Sequence, residues 1–122
     1  MSSARYRPRS AASYWDLAAK ELAALAEGPR KVMGHACEFE TSMMLALRPD
    51  LVRRDQIADD PPRDEPALRG LFLADDMKQK TDHGAAGYPE LATAEKGKAF
   101  LDAAIGRTVE VVRALLKRPV PE

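Results

Sequence analysis

The apolar residues of this chain recur mainly at three- and four-residue intervals, the spacing of one face of an α-helix. Residues 16–27 show the first such repeat, and we expect a helix there that Asp16 caps. A second helix is predicted to start within residues 38–41, and Pro49 is expected to end it. The apolar face of this second helix is predicted to contain Phe39, Met43 and Leu47.

The longest helical pattern lies near the end of the chain, where Thr93 is expected to cap a helix that runs to Pro119. Its predicted apolar stripe consists of Leu101, Ala104, Ile105, Thr108, Val112, Leu115 and Leu116. Gly97 and Gly106 fall inside this helix, and each costs roughly 1 kcal/mol relative to alanine. We therefore expect a glycine retained there to mark a close approach by a neighbouring element.

Two short apolar runs predict strands. The first is residues 11–15, which end in Tyr14 and Trp15 and could be the end of a buried strand, the interpretation we favour, or the lead-in to a helix. The second is residues 71–73. Residues 78–88 lack a core-forming pattern, and we expect them to pass over the surface or over a site.

Composition narrows the class of protein. A chain of 122 residues with 45% hydrophobic and 31% charged residues is typical of one globular domain. Nineteen basic residues balance nineteen acidic ones, so no overall field favours nucleic acid or an anionic membrane. The single cysteine excludes an internal disulfide, which favours a cytoplasmic location.

The candidate chemistry is concentrated in residues 34–42. His35 by itself could be a general acid or base, a metal ligand or an ordinary imidazole. Cys37 could pair with it, although a small buried thiol is the favoured interpretation. Glu38 and Glu40 at a helix start are complementary to the positive end of the helix dipole.

A metal site from this segment alone would be incomplete. His35 and Glu38 could face one ion, but a full site needs further ligands. The other histidine, His83, has only Asp82 near it in the sequence.

Three segments carry a resemblance to a known family: Ser-Tyr-Trp-Asp at residues 13–16, residues 34–52 with the signature His-Ala-Cys-Glu-Phe-Glu-Thr-Ser, and Ala-Thr-Ala-Glu-Lys-Gly at residues 92–97. Across about residues 13–117 the chain resembles the C-terminal half of the creatininase family of metal-dependent amidohydrolases. The resemblance implies an α/β class, namely the C-terminal portion of a three-layer α/β/α domain that is mostly helical here with one or two short strands. It also implies hydrolysis of a cyclic or linear amide with two divalent ions, zinc or manganese, in a homo-oligomer that is commonly a hexamer.

The same resemblance implies roles for individual residues. His35 matches a histidine that transfers a proton to the departing nitrogen. Trp15 matches an aromatic residue that lines the substrate pocket, and Cys37 stands where glycine is usual, so both are predicted substrate-binding residues. Glu40 matches a carboxylate for which we expect a supporting hydrogen bond, and Glu38 is expected at the helix start.

Departures from the family pattern shape the functional prediction. The segments that supply the family's metal ligands have no counterpart in this sequence, and residues 31–33 replace a second tryptophan, so creatinine is not assumed as the substrate. We therefore expect the C-terminal portion of an amidohydrolase, from a truncated gene, a late-assigned start or a split protein. Alone it is expected to bind no metal tightly and to be inactive.

The predicted organisation is a loose basic tail at residues 1–12, the family domain at residues 13–118 and a short tail at residues 119–122. The alternative function is a non-catalytic helical module that pairs with a separate chain carrying the metal ligands.

Overall fold

The structure, a computed structural model, describes residues 10–60, 63 and 65–119. The α-helices are α1 (Tyr14–Leu17), α2 (Ala19–Leu25), α3 (Glu38–Leu47), α4 (Met77–Lys80) and α5 (Ala94–Leu116). Short 3-10 helices lie at Pro49–Leu51, Arg54–Gln56, Pro66–Leu68 and Pro89–Leu91. Within the described residues the only strand-like pairing is one antiparallel bridge between His35 and Ala86.

The core forms where α3 packs along the N-terminal half of α5, with α1 and α2 against the same helix. Phe39 of α3 and Phe100 of α5 are both fully buried, and their ring centroids are 4.9 Å apart. The buried cluster consists of Ala18, Leu22, Ala26, Cys37, Phe39, Met43, Phe100 and Ala104. Helix α5 is therefore the element against which α1, α2 and α3 pack.

The contact between α3 and α5 is closest at Gly97. A Cβ atom there would lie 1.8 Å from the carbonyl oxygen of Ser42, far inside contact distance. The Ser42 hydroxyl also accepts a hydrogen bond from the Thr93 N–H at 3.1 Å. Thr93 caps α5 as predicted, because its hydroxyl accepts the Lys96 N–H. The expectation of a close approach at a helical glycine is confirmed at Gly97 but not at Gly106, where a Cβ would meet nothing within 4 Å.

Both predicted strands are wrong. Tyr14 and Trp15 open helix α1, and residues 71–73 form no strand, with Phe72 93% exposed. A strand requires a partner for its backbone groups, and apolar character alone does not supply one. Among the described residues, neither run has a ladder to join.

The predicted helix at residues 16–27 is divided and shorter than expected. Its first turns break at Ala18, whose φ and ψ are −103° and 18°, and α2 ends at Leu25. The Arg107 guanidinium donates to the Leu17 carbonyl at 3.3 Å, and a side chain inserted in this way interrupts the helical hydrogen bonding. Asp16 lies inside the first turn of α1 and is not the cap, which is Ser13.

The apolar faces predicted for α3 and α5 are only partly buried. Helix α3 begins at Glu38 and ends before Pro49, as predicted, but Leu47 is 59% exposed. In α5 the deeply buried aromatic residue is Phe100, which lies outside the predicted stripe, while Ile105 and Leu116 are largely exposed. The buried residues of α5, Gly97, Phe100 and Ala104, all lie in its first half, and its second half keeps an apolar face exposed among the described residues.

Residues 78–88, which we expect to pass over a surface or a site, begin inside helix α4. A capping box between Asp76 and Gln79 fixes the start of this helix. The rest of residues 78–88 is loop and carries Ala86, the bridge partner of His35. Most of the predicted tail at residues 1–12, and residues 120–122, lie outside the described residues. The predicted domain limits stay predictions.

Gly97→Ala is expected to destabilise the protein by about 1–3 kcal/mol, because the added methyl group cannot fit against Ser42 without moving α3 from α5. The matched control is Gly106→Ala in the same helix, which should be neutral or stabilising by up to roughly 1 kcal/mol. Urea unfolding followed by far-UV circular dichroism measures both changes. Equal effects of the two variants would contradict the close contact at Gly97.

Candidate functional site

His35 lies in the segment that leads into α3, and its backbone is paired with a distant loop. Its N–H donates to the Ala86 carbonyl at 3.2 Å, and the Ala86 N–H donates to the His35 carbonyl at 2.7 Å. The imidazole is exposed. The reciprocal bonds fix the backbone of His35 while its side chain stays accessible to a ligand.

The residue after His35 adopts an unusual conformation that two side chains of α3 hold in place. Ala36 has φ of 45°, in the left-handed region that is costly for a residue with a Cβ. The Glu40 carboxylate accepts the Ala36 N–H at 2.6 Å, and the Thr41 hydroxyl donates to the Ala36 carbonyl at 2.9 Å. These bonds satisfy both backbone groups of Ala36 and so orient the segment that carries His35.

The Glu38 carboxylate is buried and fully bonded. It accepts the N–H groups of Glu27 and Gly28, both at 2.8 Å, and the Lys96 ammonium at 2.9 Å. Burial raises the pKa of Glu38, but the hydrogen bond from Lys96 and those from the two backbone N–H groups outweigh it, so the pKa is lowered. The carboxylate is therefore held in its charged form.

Glu38 also links the helices to the loop beside His35. Its own N–H donates to the Gly87 carbonyl at 2.9 Å, one residue after Ala86. Lys96 in turn binds the Leu91 carbonyl and lies 3.3 Å from the Glu27 carboxylate. One buried ion pair thus joins the end of α2, the start of α3, the start of α5 and the loop at Ala86.

Cys37 and Trp15 lie apart from the exposed surface of His35. Cys37 is fully buried, and its sulfur accepts the Gly34 N–H at 3.4 Å. Trp15 is 39% exposed and stacks edge-to-face with Tyr14 at 5.0 Å. Among the described residues, neither Trp15 nor Cys37 lines the cavity that His35 lines.

The cavity at His35 has a volume of about 390 Å³ and is mainly polar. Arg30 and Ala86 line it beside His35, while Arg63 and Lys80 reach it from the loop region and from α4. Sequence analysis missed these basic residues, because nothing in the local sequence brings residues 30, 63 and 80 together.

A second cavity, of about 510 Å³, is an apolar groove between α1, α3 and α5. Tyr14, Met44, Leu47 and Ile105 are among the residues that line it, together with Glu40. Burial raises the pKa of Tyr14, and the negative charge of Glu40 raises it further. Glu40 therefore faces the apolar groove while its carboxylate holds the backbone next to His35.

The part of the chain that the structure describes contains no group of three or more His, Cys, Asp and Glu residues able to hold a metal ion. His83 is exposed, and its backbone N–H, with that of Asp82, donates to Asp60. Those bonds, the one from Asp82 first, lower the pKa of Asp60. The donor set among these residues does not fit a centre of two ions.

Comparison with known proteins decides the family. A family model described as Creatininase, creatinine amidohydrolase, matches residues 3–112. The chain belongs to the creatininase family. A curated relative, the creatinine amidohydrolase of Pseudomonas putida, is 31% identical over 105 residues, which are 83% of this chain and 40% of the relative. The chain thus spans less than half of the length of that creatininase.

Solved structures agree with this assignment. A putative creatinine amidohydrolase from Bacteroides fragilis, 21% identical, matches the fold with a TM-score of 0.75 over 93% of this chain and 45% of that one. A mutant creatininase complexed with creatine is 30% identical, with a TM-score of 0.68 over 87% of this chain and 42% of that one. Similar creatininases are also known in Mn and Zn–Zn forms.

The assignment bears on the predicted class and function. The predicted α/β class is confirmed only in part: the neighbours are creatininase folds, but the described part of this chain contributes helices and the single bridge. The curated relative is a creatinine amidohydrolase, and membership of its family does not favour the non-catalytic module. Among the described residues, none of the helices is long and apolar enough to cross a membrane.

Glu38→Gln is expected to destabilise the protein by about 3 kcal/mol, because it leaves the mostly buried Lys96 ammonium with only the exposed Glu27 carboxylate as an ionic partner. Since folding lowers the pKa of Glu38, its stabilising effect is complete above the unfolded pKa of about 4.3 and is lost as the pH falls through the folded value. The variant should therefore lose less stability on acidification than the unmodified chain. Urea unfolding across acidic pH tests this.

The matched control is Glu95→Gln, an exposed position in the first turn of α5. Its cost should stay within about 1 kcal/mol, and the acid dependence should resemble that of the unmodified chain. If Glu38→Gln also left the pH dependence of the free energy of unfolding unchanged, the buried ion pair would not be the source of that dependence.

Proposed function

We propose that this chain takes part in the hydrolysis of an amide C–N bond in a small molecule, cyclic or linear, with His35 as the catalytic proton donor. The observation that carries the proposal is the position of His35. It lies in the family's matched segment, its backbone is fixed by Ala86, and its exposed imidazole lines a polar cavity. Imidazole suits this role because its pKa lies near neutral pH.

The proton balance of the reaction defines what His35 does. Water adds its oxygen to the carbonyl carbon, the C–N bond breaks, and the departing nitrogen needs a proton to leave as an amine. In our proposal the imidazolium of His35 donates that proton, and the proton that the water loses then reprotonates the imidazole. Glu40 and Thr41 are positioning residues, because they hold Ala36 and not the substrate.

Trp15 and Cys37, the other predicted substrate-binding residues, have structural roles in this proposal. Trp15, exposed beside Tyr14, is proposed as a wall of the substrate pocket in the assembled protein. Cys37 is buried, and we propose that it packs beneath the segment that carries His35. A homo-oligomer such as a hexamer, or a complementary chain, stays a prediction.

The metal ions are proposed to be held outside the described residues. Creatininase structures exist in Mn and Zn–Zn forms, but the donors described here do not fit such a centre. We therefore expect the chain by itself to bind fewer than two divalent ions and to hydrolyse no amide. Isothermal titration with Zn²⁺ and Mn²⁺, with metal analysis after dialysis, measures this. Tight binding of two ions by the isolated chain would overturn the proposed division of labour.

His35→Ala is expected to lower kcat about 100-fold or more in the protein purified under native conditions with whatever partner it retains. Metal content should be unchanged, because His35 is proposed to act on the leaving nitrogen. The matched control is His83→Ala, which removes the other exposed histidine and leaves its backbone bond to Asp60 intact. Loss of metal in the His35 variant would instead identify His35 as a ligand.

A further inference from the structure

The cavity beside His35 carries an excess of positive charge. Four basic side chains line it, those of Arg30, Arg63, Arg69 and Lys80, against the lining carboxylates of Glu65 and Asp75 and that of Asp82, which pairs with Arg63. The chain as a whole has no net charge, so this excess is a local feature. A concave site with one predominant sign of charge favours ligands of the opposite sign.

Two hydrogen bonds to backbone carbonyls orient the side chain of Arg30 in this cavity. Its Nε donates to the Val32 carbonyl and its Nη2 to the Met33 carbonyl, both at 3.2 Å. Both acceptors are uncharged, so the charge of the guanidinium is not neutralised by these bonds. A guanidinium has more N–H donors than these two bonds use, and the remaining ones are available to a ligand.

Packing ties Arg30 to the backbone around His35. A Cβ at Gly87 would lie 2.9 Å from its Cδ, and a Cβ at Gly34 would lie 3.2 Å from its Nε. Gly34 precedes His35, and Gly87 follows its bridge partner Ala86. The guanidinium therefore lies against the same stretch of backbone that positions the candidate catalytic histidine.

The other basic residues differ in how far their charge is compensated. Arg63 donates to the Gln79 carbonyl and pairs with Asp82 at 2.5 Å, so its charge is already matched. Lys80, at the end of α4, is exposed and forms no ion pair with any described carboxylate. Arg30 and Lys80 are thus two cations of the cavity that an anion could approach.

We propose that this cavity binds a carboxylate group of the substrate, with Arg30 as the main contact and Lys80 as the second, so that the substrate class is an amide that also carries a carboxylate. The proposal rests on the function proposed for His35. The planar fork of Arg30 matches a carboxylate in shape. Glu65 and Asp75 in the same cavity disfavour a ligand of higher negative charge.

Succinamate and succinamide provide the test, because they differ only in whether one end is a carboxylate or an uncharged amide. Binding to the full chain is measured by isothermal titration and by NMR shifts of the His35 and Ala86 amides, without added metal. We expect succinamate to bind about tenfold or more tightly than succinamide. The affinity for succinamate should fall as the salt concentration is raised. Equal affinities would overturn the proposal.

Variants assign the effect to the named cations. Arg30→Gln should remove most of the preference for succinamate, Arg30→Lys should keep part of it, and Lys80→Gln should reduce it less. The control Arg113→Gln, at an exposed position near the end of α5, should leave it unchanged. If Arg30→Gln unfolds the chain, Arg30→Lys and the exposed Lys80→Gln still decide, since an unchanged preference in both would overturn the assignment to these two cations.

The binding result and the hydrolysis result are separable. Preference for succinamate without hydrolysis in any assembly would support the carboxylate site and count against the function proposed for His35. Hydrolysis that depends on His35, with no preference for succinamate, would support the function and overturn the carboxylate site.

Discussion

The buried carboxylate of Glu38 is the interaction on which the arrangement of the site depends. It is bonded by Lys96 of α5 and by the backbone N–H groups at the end of the α2 segment. A buried ion pair is costly to form and more costly to leave half-made, so its value lies in specifying one arrangement. Here it specifies how α3 begins, and therefore where the segment that carries His35 leaves the helical core.

The cavity that Glu40 lines and the cavity that His35 lines have opposite character. The groove between α1, α3 and α5 is apolar, because these helices carry exposed residues such as Leu47 and Ile105. The cavity at His35 is built mostly from loops and is polar and basic. Glu40 lines the groove, and its carboxylate accepts the N–H of Ala36. This one side chain therefore contacts both the apolar groove and the segment that carries His35.

The sequence was sufficient to predict those features of the structure that depend on residues adjacent along the chain. The start of α3 at Glu38 and the cap at Thr93 are of this kind. The strand predicted at Trp15 failed because a strand depends on a partner that local sequence does not reveal. The partnership of Glu38 with Lys96, 58 positions away, was invisible for the same reason, as was the meeting of Arg30 with α4. Family resemblance identified His35, but not the charge around it.

The two cations of the His35 cavity are connected to the rest of the fold in different ways. Arg30 lies against Gly34 and Gly87 and donates to two backbone carbonyls, so a change at this position also disturbs the backbone that holds His35. Lys80 lies at the end of a single helical turn, is exposed and is not a member of the buried cluster. Arg30 therefore couples recognition of a carboxylate to the placement of His35, whereas Lys80 contributes charge alone. Substitution at Lys80 can alter affinity for an anion without changing the geometry of the reacting group.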